Sequence, residues 1–316
     1  MEVAAYGPKA EEAVQEAEGQ IKALENKLSR TKADSDVSRG NHNGTTPTTG
    51  LTYGTRALLP AALEYRDATN GAFDITIAPV MDAWGFTGDS FRVPERSELD
   101  ELLKHVNSDE IQIQEEPAHS VTLGEGQAID LGGIAKGYTS DLVEQTFRAN
   151  GSESGKISLG GNVFVLGTKP DGSDWRVGIK DPRNESGLAA ILSLRDAYAI
   201  TSGGYERYFE ENGKTYHHII DPSTGYPADS GLLSVTVVAA DNGPDWAGAG
   251  NGAMCDAFST ALFVMGEEQA LDFWRNGGYD FDLVLVTEDG RVVITAGLAD
   301  RFEEVKDSGY TYETVS

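Results

Sequence analysis

Between residues 156 and 201 five strand-like segments follow one another with no helix between them: 156–159, 162–167, 174–179, 188–194 and 197–201. Segments 214–220 and 232–239 come next, and Glu288-Asp289-Gly290-Arg291 reads as a tight hairpin turn between 283–287 and 291–295. Strands that arrive in runs favour an α+β fold over an alternating α/β one.

The helices lie mostly on either side of these runs. Met1 to Tyr6 reads as a strand already under way, broken by Gly7-Pro8. Ala10, Ala13, Val14, Ala17, Ile21, Leu24 and Leu28 then recur at helical spacing, predicting a helix over 9–28. Residues 29–50 are polar and rich in Gly, Thr, Ser and Asn, and read as a long loop. A helix is expected over 55–69 with Pro60 near its start, then an extended segment over 72–77. Ser97-Glu98-Leu99-Asp100 opens another helix in the manner of a capping box, and strands follow near 111–114 and 119–123. The last helices fall at 134–149, with Ile134, Tyr138, Leu142 and Phe147 inward, and at 253–265 and 267–276.

Charge narrows the partners. The 316 residues carry a net charge of −26, which argues against nucleic acid or an anionic membrane as the main partner. The single cysteine, Cys255, excludes an internal disulfide and any multi-thiolate metal site, and reads as packing. No apolar run approaches the ~18 residues of a membrane span. The start carries no signal sequence, so the protein is expected to be cytoplasmic unless its N-terminal segment is missing.

Four stretches have the composition of a polar cleft: Tyr216 to Pro227, Asp130 to Gly137, Thr201 to Tyr205, and Cys255 to Leu262. Asp256, Ser259 and Thr260 share one helical face at i, i+3 and i+4, a set of oxygen donors that suits Mg²⁺ or an ordinary capped helix start. Asp130-Leu131-Gly132-Gly133-Ile134-Ala135-Lys136-Gly137 offers a carboxylate, close-approach glycines and a lysine in the first turn of a helix. That suits a phosphate, or tight helix–strand packing alone. It is not a Walker A loop, and Gly248, Gly250 and Gly252 miss the dinucleotide fingerprint. His218 reads as a general base, a phosphate contact, or a histidine bonded within a turn. Spacing alone therefore stops at a metal-assisted phosphoryl-type site or a cleft for a phosphorylated ligand.

Taken in order, these motifs resemble the ApbE family, the FAD:protein FMN transferases, from about residue 2 to about residue 302. The marks are Asn70 to Thr76 (NGAFDIT), Asp130 to Gly137 (DLGGIAKG), Thr201-Ser202-Gly203, His218 to Pro222 with Thr224 to Pro227, and Asp256 to Thr260. The resemblance implies a T-fold-like α+β architecture: antiparallel sheets flanked by helices, a single domain over 1–316 with its active cleft between two interleaved lobes, and a C-terminal tail at 303–316. It implies a Mg²⁺-dependent transferase that splits the FAD pyrophosphate, attaches FMN to a threonine or serine hydroxyl of a target protein, and releases AMP. FAD hydrolysis to FMN and AMP, or FAD binding without turnover, are the alternatives.

Carried over by motif, Ala72, Phe73, Asp74, Asp130, Lys136 and Ile220 would line the FAD site, Phe73 against a ring or as plain core. Asp256, Ser259 and Thr260 would hold Mg²⁺ with a backbone carbonyl from the Gly133 to Ala135 turn, and His218 would stand nearest the reaction. Implied targets are subunits of membrane redox complexes, sodium-pumping quinone reductases or Rnf-type complexes, reached outside the cytoplasm. The chain departs from the family where it starts, after the strand that usually carries a Met-Gly-Thr-like turn. It departs again after Leu28-Ser29, where Arg30 and Thr31 replace a usual aromatic, so a more open ring pocket is expected.

Overall fold

Residues 1–47, 51–88, 90–114, 120–241 and 249–316 are described by a computed structural model. The end of the expected 29–50 loop, the start of the 119–123 strand at His119, and Gly248 fall outside these residues.

The strand runs form one eight-stranded sheet. Across it lie β1 (Glu2–Tyr6), β5 (Ser154–Ser158), β6 (Asn162–Leu166), β9 (Ala197–Gly203), β12 (Leu232–Ala240), β13 (Asp282–Thr287), β14 (Arg291–Thr295) and β16 (Thr311–Val315). Neighbours pair antiparallel except β14 and β16, which run parallel from Arg291 opposite Thr311 to Thr295 opposite Val315. The expected 303–316 tail thus supplies a strand of the main sheet.

Side chains alternate between the sheet's two faces, as a pleated strand requires. Val235, Val237, Leu283 and Leu285 point into a core shared with the helices, while Val238, Val284 and Val286 point into a second core. That second core is closed by β7 (Trp175–Asp181), β8 (Asn184–Leu194) and β15 (Phe302–Glu304), a three-stranded sheet ordered β15-β8-β7. Along β7, Trp175, Val177 and Ile179 are buried while Arg176, Gly178 and Lys180 are exposed.

The helices are α1 (Ala10–Leu28), α2 (Asp36–Asn43), α3 (Tyr53–Ala68), α4 (Ala78–Trp84), α5 (Arg96–Leu102), α6 (Ala135–Ala149) and α7 (Asn251–Asn276). Within α7, Gly266 takes φ 79° and ψ 173°, which breaks it into the two helices the sequence predicts. Of the inward face expected for α6, Ile134, Tyr138 and Phe147 are fully buried and Leu142 is half-buried. The mixed α+β architecture agrees with expectation; several local readings do not.

The 29–50 segment holds α2 and the short strand β2 (Thr45–Pro47), which pairs with β4 (Ser120–Thr122), itself paired with β3 (Gln112–Gln114). Residues 75–77 form a 3₁₀ turn that leads straight into α4, in place of an extended segment. Pro60 lies in the interior of α3. Ser97 sits inside α5, whose N-cap is Glu95 with no side-chain cap, so the capping box is not formed. The 214–220 strand ends at His217 as β11 (Lys214–His217), hairpinned to β10 (Tyr208–Glu211), which periodicity did not predict.

A third, aromatic core around Trp84 joins α4 to this hairpin. Trp84, Phe86 and Ile220 are buried in it, with Phe209, Tyr216 and Tyr226 packed alongside. Trp84 Nε1–H donates to the carbonyl of Gly225 at 2.7 Å, tying α4 to the 221–227 turn. The cleft described next lies where this core meets the helical one.

Candidate active site

Six segments supply the walls of a cleft of about 440 Å³, within the range of small-molecule sites. It is lined by Ala72, Phe73, Asp74, Asp130, Gly133, Lys136, His218, Ile220, Asp256 and Thr260 from among the predicted residues, joined by Arg30, Thr87, Ser202 and Arg207. Ala135 lines the adjoining cavity, and Ser259 lines neither.

The first wall is made by a chain reversal. Asn70 and Gly71 both adopt positive φ, 51° and 83°, which ends α3 and turns Phe73 inward. Asp74 then closes the 3₁₀ turn: its Oδ1 accepts from Thr76 N–H at 2.8 Å, from Thr76 Oγ1–H at 2.6 Å and from Ser108 Oγ–H at 2.5 Å. With those bonds the Asp74 carboxylate holds the wall in shape.

Asp256 and Thr260 come from α7. Asp256 is 2% exposed, and its carboxylate accepts from Gly137 N–H at 2.8 Å. Ser259 is fully buried and turns back to donate to the Asp256 carbonyl at 2.9 Å. Its place in the cleft is taken by Ser202, at the end of β9, whose Oγ lies 2.8 Å from Ser259 Oγ and 3.2 Å from Thr260 Oγ1. Thr201-Ser202-Gly203 is a mark of the resemblance, so the signal for Ser202 was present without a role attached.

Gly133 closes on this group: a Cβ there would stand 3.1 Å from the Phe73 ring and 3.7 Å from Thr260 Oγ1. Among the described residues no three His, Cys, Asp or Glu side chains cluster into a metal site. The donors present are one carboxylate, two hydroxyls and the backbone near Gly133. They fit a hard cation that completes its shell with water and phosphate oxygens, as Mg²⁺ does.

His218 lines the same cleft. Its Nδ1–H donates to the Arg207 carbonyl at 3.2 Å, leaving Nε2 as the unprotonated nitrogen. Burial pushes its pKa down to about 4, and the positive charges of Lys136 and Arg207 act in the same direction. The imidazole is therefore neutral near pH 7, and able to accept a proton. Its neighbour His217 points away, its Nε2–H donating to the Ala228 carbonyl at 3.1 Å.

Lys136, in the first turn of α6, reaches Asn162 Oδ1 at 3.1 Å. A more open ring pocket was expected where Arg30 and Thr31 replace an aromatic. The Arg30 side chain is only 9% exposed and forms part of the cleft wall. A buried carboxylate beside hydroxyls, in a cleft also lined by three cations and a neutral histidine, is equipped for displacement at a phosphorus centre.

Comparison with known proteins agrees with that chemistry. The ApbE family profile matches residues 1–283. FAD:protein FMN transferase of Klebsiella pneumoniae is 34% identical over 294 residues, covering 92% of this chain and 86% of its own. The protein of that name from Treponema pallidum is 34% identical over 271 residues, 81% and 72% of the two chains. The crystal structure of the ApbE protein of Thermotoga maritima superposes with a TM-score of 0.81 at 33% identity, covering 96% and 92%. The protein is an enzyme of the transferase class. It belongs to the ApbE family.

Proposed function

We propose that this cleft binds FAD and transfers its FMN half to a threonine or serine hydroxyl of a target protein, with release of AMP. The observation that carries this reading is the convergence of Asp256 and Thr260 of α7 with Ser202, Lys136 and His218 from three other parts of the chain on one cleft. The acceptor would be a flavin-carrying subunit of a membrane redox complex. Among the described residues no helix is long and apolar enough to cross a membrane.

The chemistry assigns each group a task. The acceptor oxygen forms a bond to the FMN phosphorus while the bond from that phosphorus to the bridging oxygen breaks, and AMP carries the bridging oxygen away. His218 Nε2 takes the acceptor's proton, which its neutral state allows. Lys136 offsets phosphate charge in a protein that is otherwise strongly anionic. Asp256 and Thr260, with Ser202 and the backbone at Gly133, would hold Mg²⁺. When bound, the ion supplies charge neutralisation at the phosphate oxygens.

The test is incubation with FAD, Mg²⁺ and a candidate acceptor domain, followed by a denaturing gel viewed by flavin fluorescence and an AMP assay. A fluorescent acceptor band abolished by EDTA is expected. AMP without labelling of any acceptor would replace transfer by FAD hydrolysis. Bound FAD with neither product would leave a binding protein.

A further inference from the structure

Arg30 is a buried cation with a donor to spare. Ser29 ends α1 in extended backbone (φ −72°, ψ 122°), which sends the next side chain inward. One terminal nitrogen of Arg30 donates to Thr87 Oγ1; the other donates to Asp82 Oδ2 at 2.5 Å and lies 3.4 Å from the Ala78 carbonyl. Its Nε–H is buried and has no partner, and Asp130 stands at 3.7 Å, beyond hydrogen-bond reach. The Asp82 side chain is 54% exposed, so water can replace Arg30 as its partner at small cost.

Its position matters as much as its charge. The active cleft and a neighbouring cavity of about 370 Å³, walled by Ile21, Leu24, Leu28 and Leu159, share Arg30, Asp130, Gly132 and Lys136 as lining. Two cations therefore mark the join between two ring-sized spaces. A dinucleotide has the same order of parts: ring system, diphosphate, ring system.

We propose that Arg30 is a specificity-determining residue that contacts the diphosphate of the bound dinucleotide. It does so beside Lys136, at the join of the two cavities, and selects FAD over flavins that lack the diphosphate. A guanidinium suits this task because its planar fork matches two phosphate oxygens at once. The inference rests on the FAD reading above, and Arg30 deepens it.

The test is titration of the full chain, in buffer with Mg²⁺, by FAD and riboflavin through flavin fluorescence and by ADP through calorimetry. Arg30→Gln should weaken FAD and ADP about tenfold or more while leaving riboflavin unchanged. Asp82→Asn, which removes the exposed ion pair and keeps the cation, should bind FAD as the parent does. FAD affinity within about twofold of the parent in Arg30→Gln would overturn the assignment. So would equal losses for FAD and riboflavin, or an equal loss in Asp82→Asn, since either makes Arg30 a latch for the 82–87 segment. A parent chain that binds ADP through Arg30 but no flavin would instead sink the FAD reading. One that binds none of the three sinks both.

Discussion

The backbone N–H of Gly137, in the first turn of α6, donates to Oδ2 of Asp256 on α7 across 2.8 Å. The exchange is mutual. Asp141 of α6 accepts from the N–H groups of Gly250, Gly252 and Ala253 at the start of α7, at 3.0, 2.7 and 3.1 Å. Neither helix has a side-chain cap of its own, so each takes from the other a carboxylate for its unpaired first-turn donors. The carboxylate proposed to hold a metal is thus oriented by the same contact that packs the two helices.

That double role separates two substitutions. Asp256→Asn keeps an oxygen to accept from Gly137 and loses only the charge. Turnover should fall at least about 100-fold, with the melting temperature close to the parent's. Asp256→Ala also removes the cap, and should lose a further ~1 kcal/mol of stability. Kinetics beside thermal melts of both variants check this; full turnover in Asp256→Asn would remove Asp256 from the metal site.

Packing at the same crossing leaves no room for side chains. A Cβ on Gly137 would stand 2.0 Å from the Gly252 carbonyl oxygen, which is backbone and cannot swing aside. Gly137→Ala should therefore cost about 1–3 kcal/mol and move Asp256 with the helix, lowering both melting temperature and activity. An unchanged melt would show that α6 and α7 slide apart easily.

Asp141 links the pair to pH. It is fully buried, and that burial raises its carboxyl to about 7 against the pull of its hydrogen bonds. A folded value above the unfolded one means the protonated form is favoured by folding. Its contribution is whole below the ordinary carboxylate range and fades as pH rises through about 7. The protein should melt lower at about pH 8 than at about pH 6, and Asp141→Asn should flatten that slope. Thermal melts across the range decide it; an unaltered slope would assign the dependence elsewhere.

The sequence made legible what repeats locally. The spacing of α1, the alternation of β7 and the hairpin between β13 and β14 all carry their own pattern. What it hid is held by distant partners. α2 stands where composition reads as loop because Asp36, 1% exposed, accepts from Thr52 and Thr55 far along the chain. β16 is a polar strand, legible only through its pairing with β14. Ser202 was visible as part of a motif, yet its role comes from Ser259 and Thr260. Arg30 has no local signal at all, since its contacts are with Ala78, Asp82, Thr87 and Asp130.

His218 gives the remaining prediction, because a bound diphosphate would offset the positive charges that lower its pKa in the free cleft. In the free cleft, burial and the nearby cations Lys136 and Arg207 hold it down at about 4. It loses activity only when protonated, so kcat/KM, which reports the free enzyme, should stay level on the acid side of neutrality. It should fall only as pH drops toward about 4. A bound diphosphate brings negative charge to those cations and favours the imidazolium, so the acid limb of kcat should lie at higher pH than that of kcat/KM. His218→Gln should lower kcat by about 10²–10⁴ and remove the limb from both profiles. A kcat/KM limb near the ordinary histidine value, about 6.5, would mean that the cleft opens to water around His218. A limb that persists in His218→Gln would assign the base to another group.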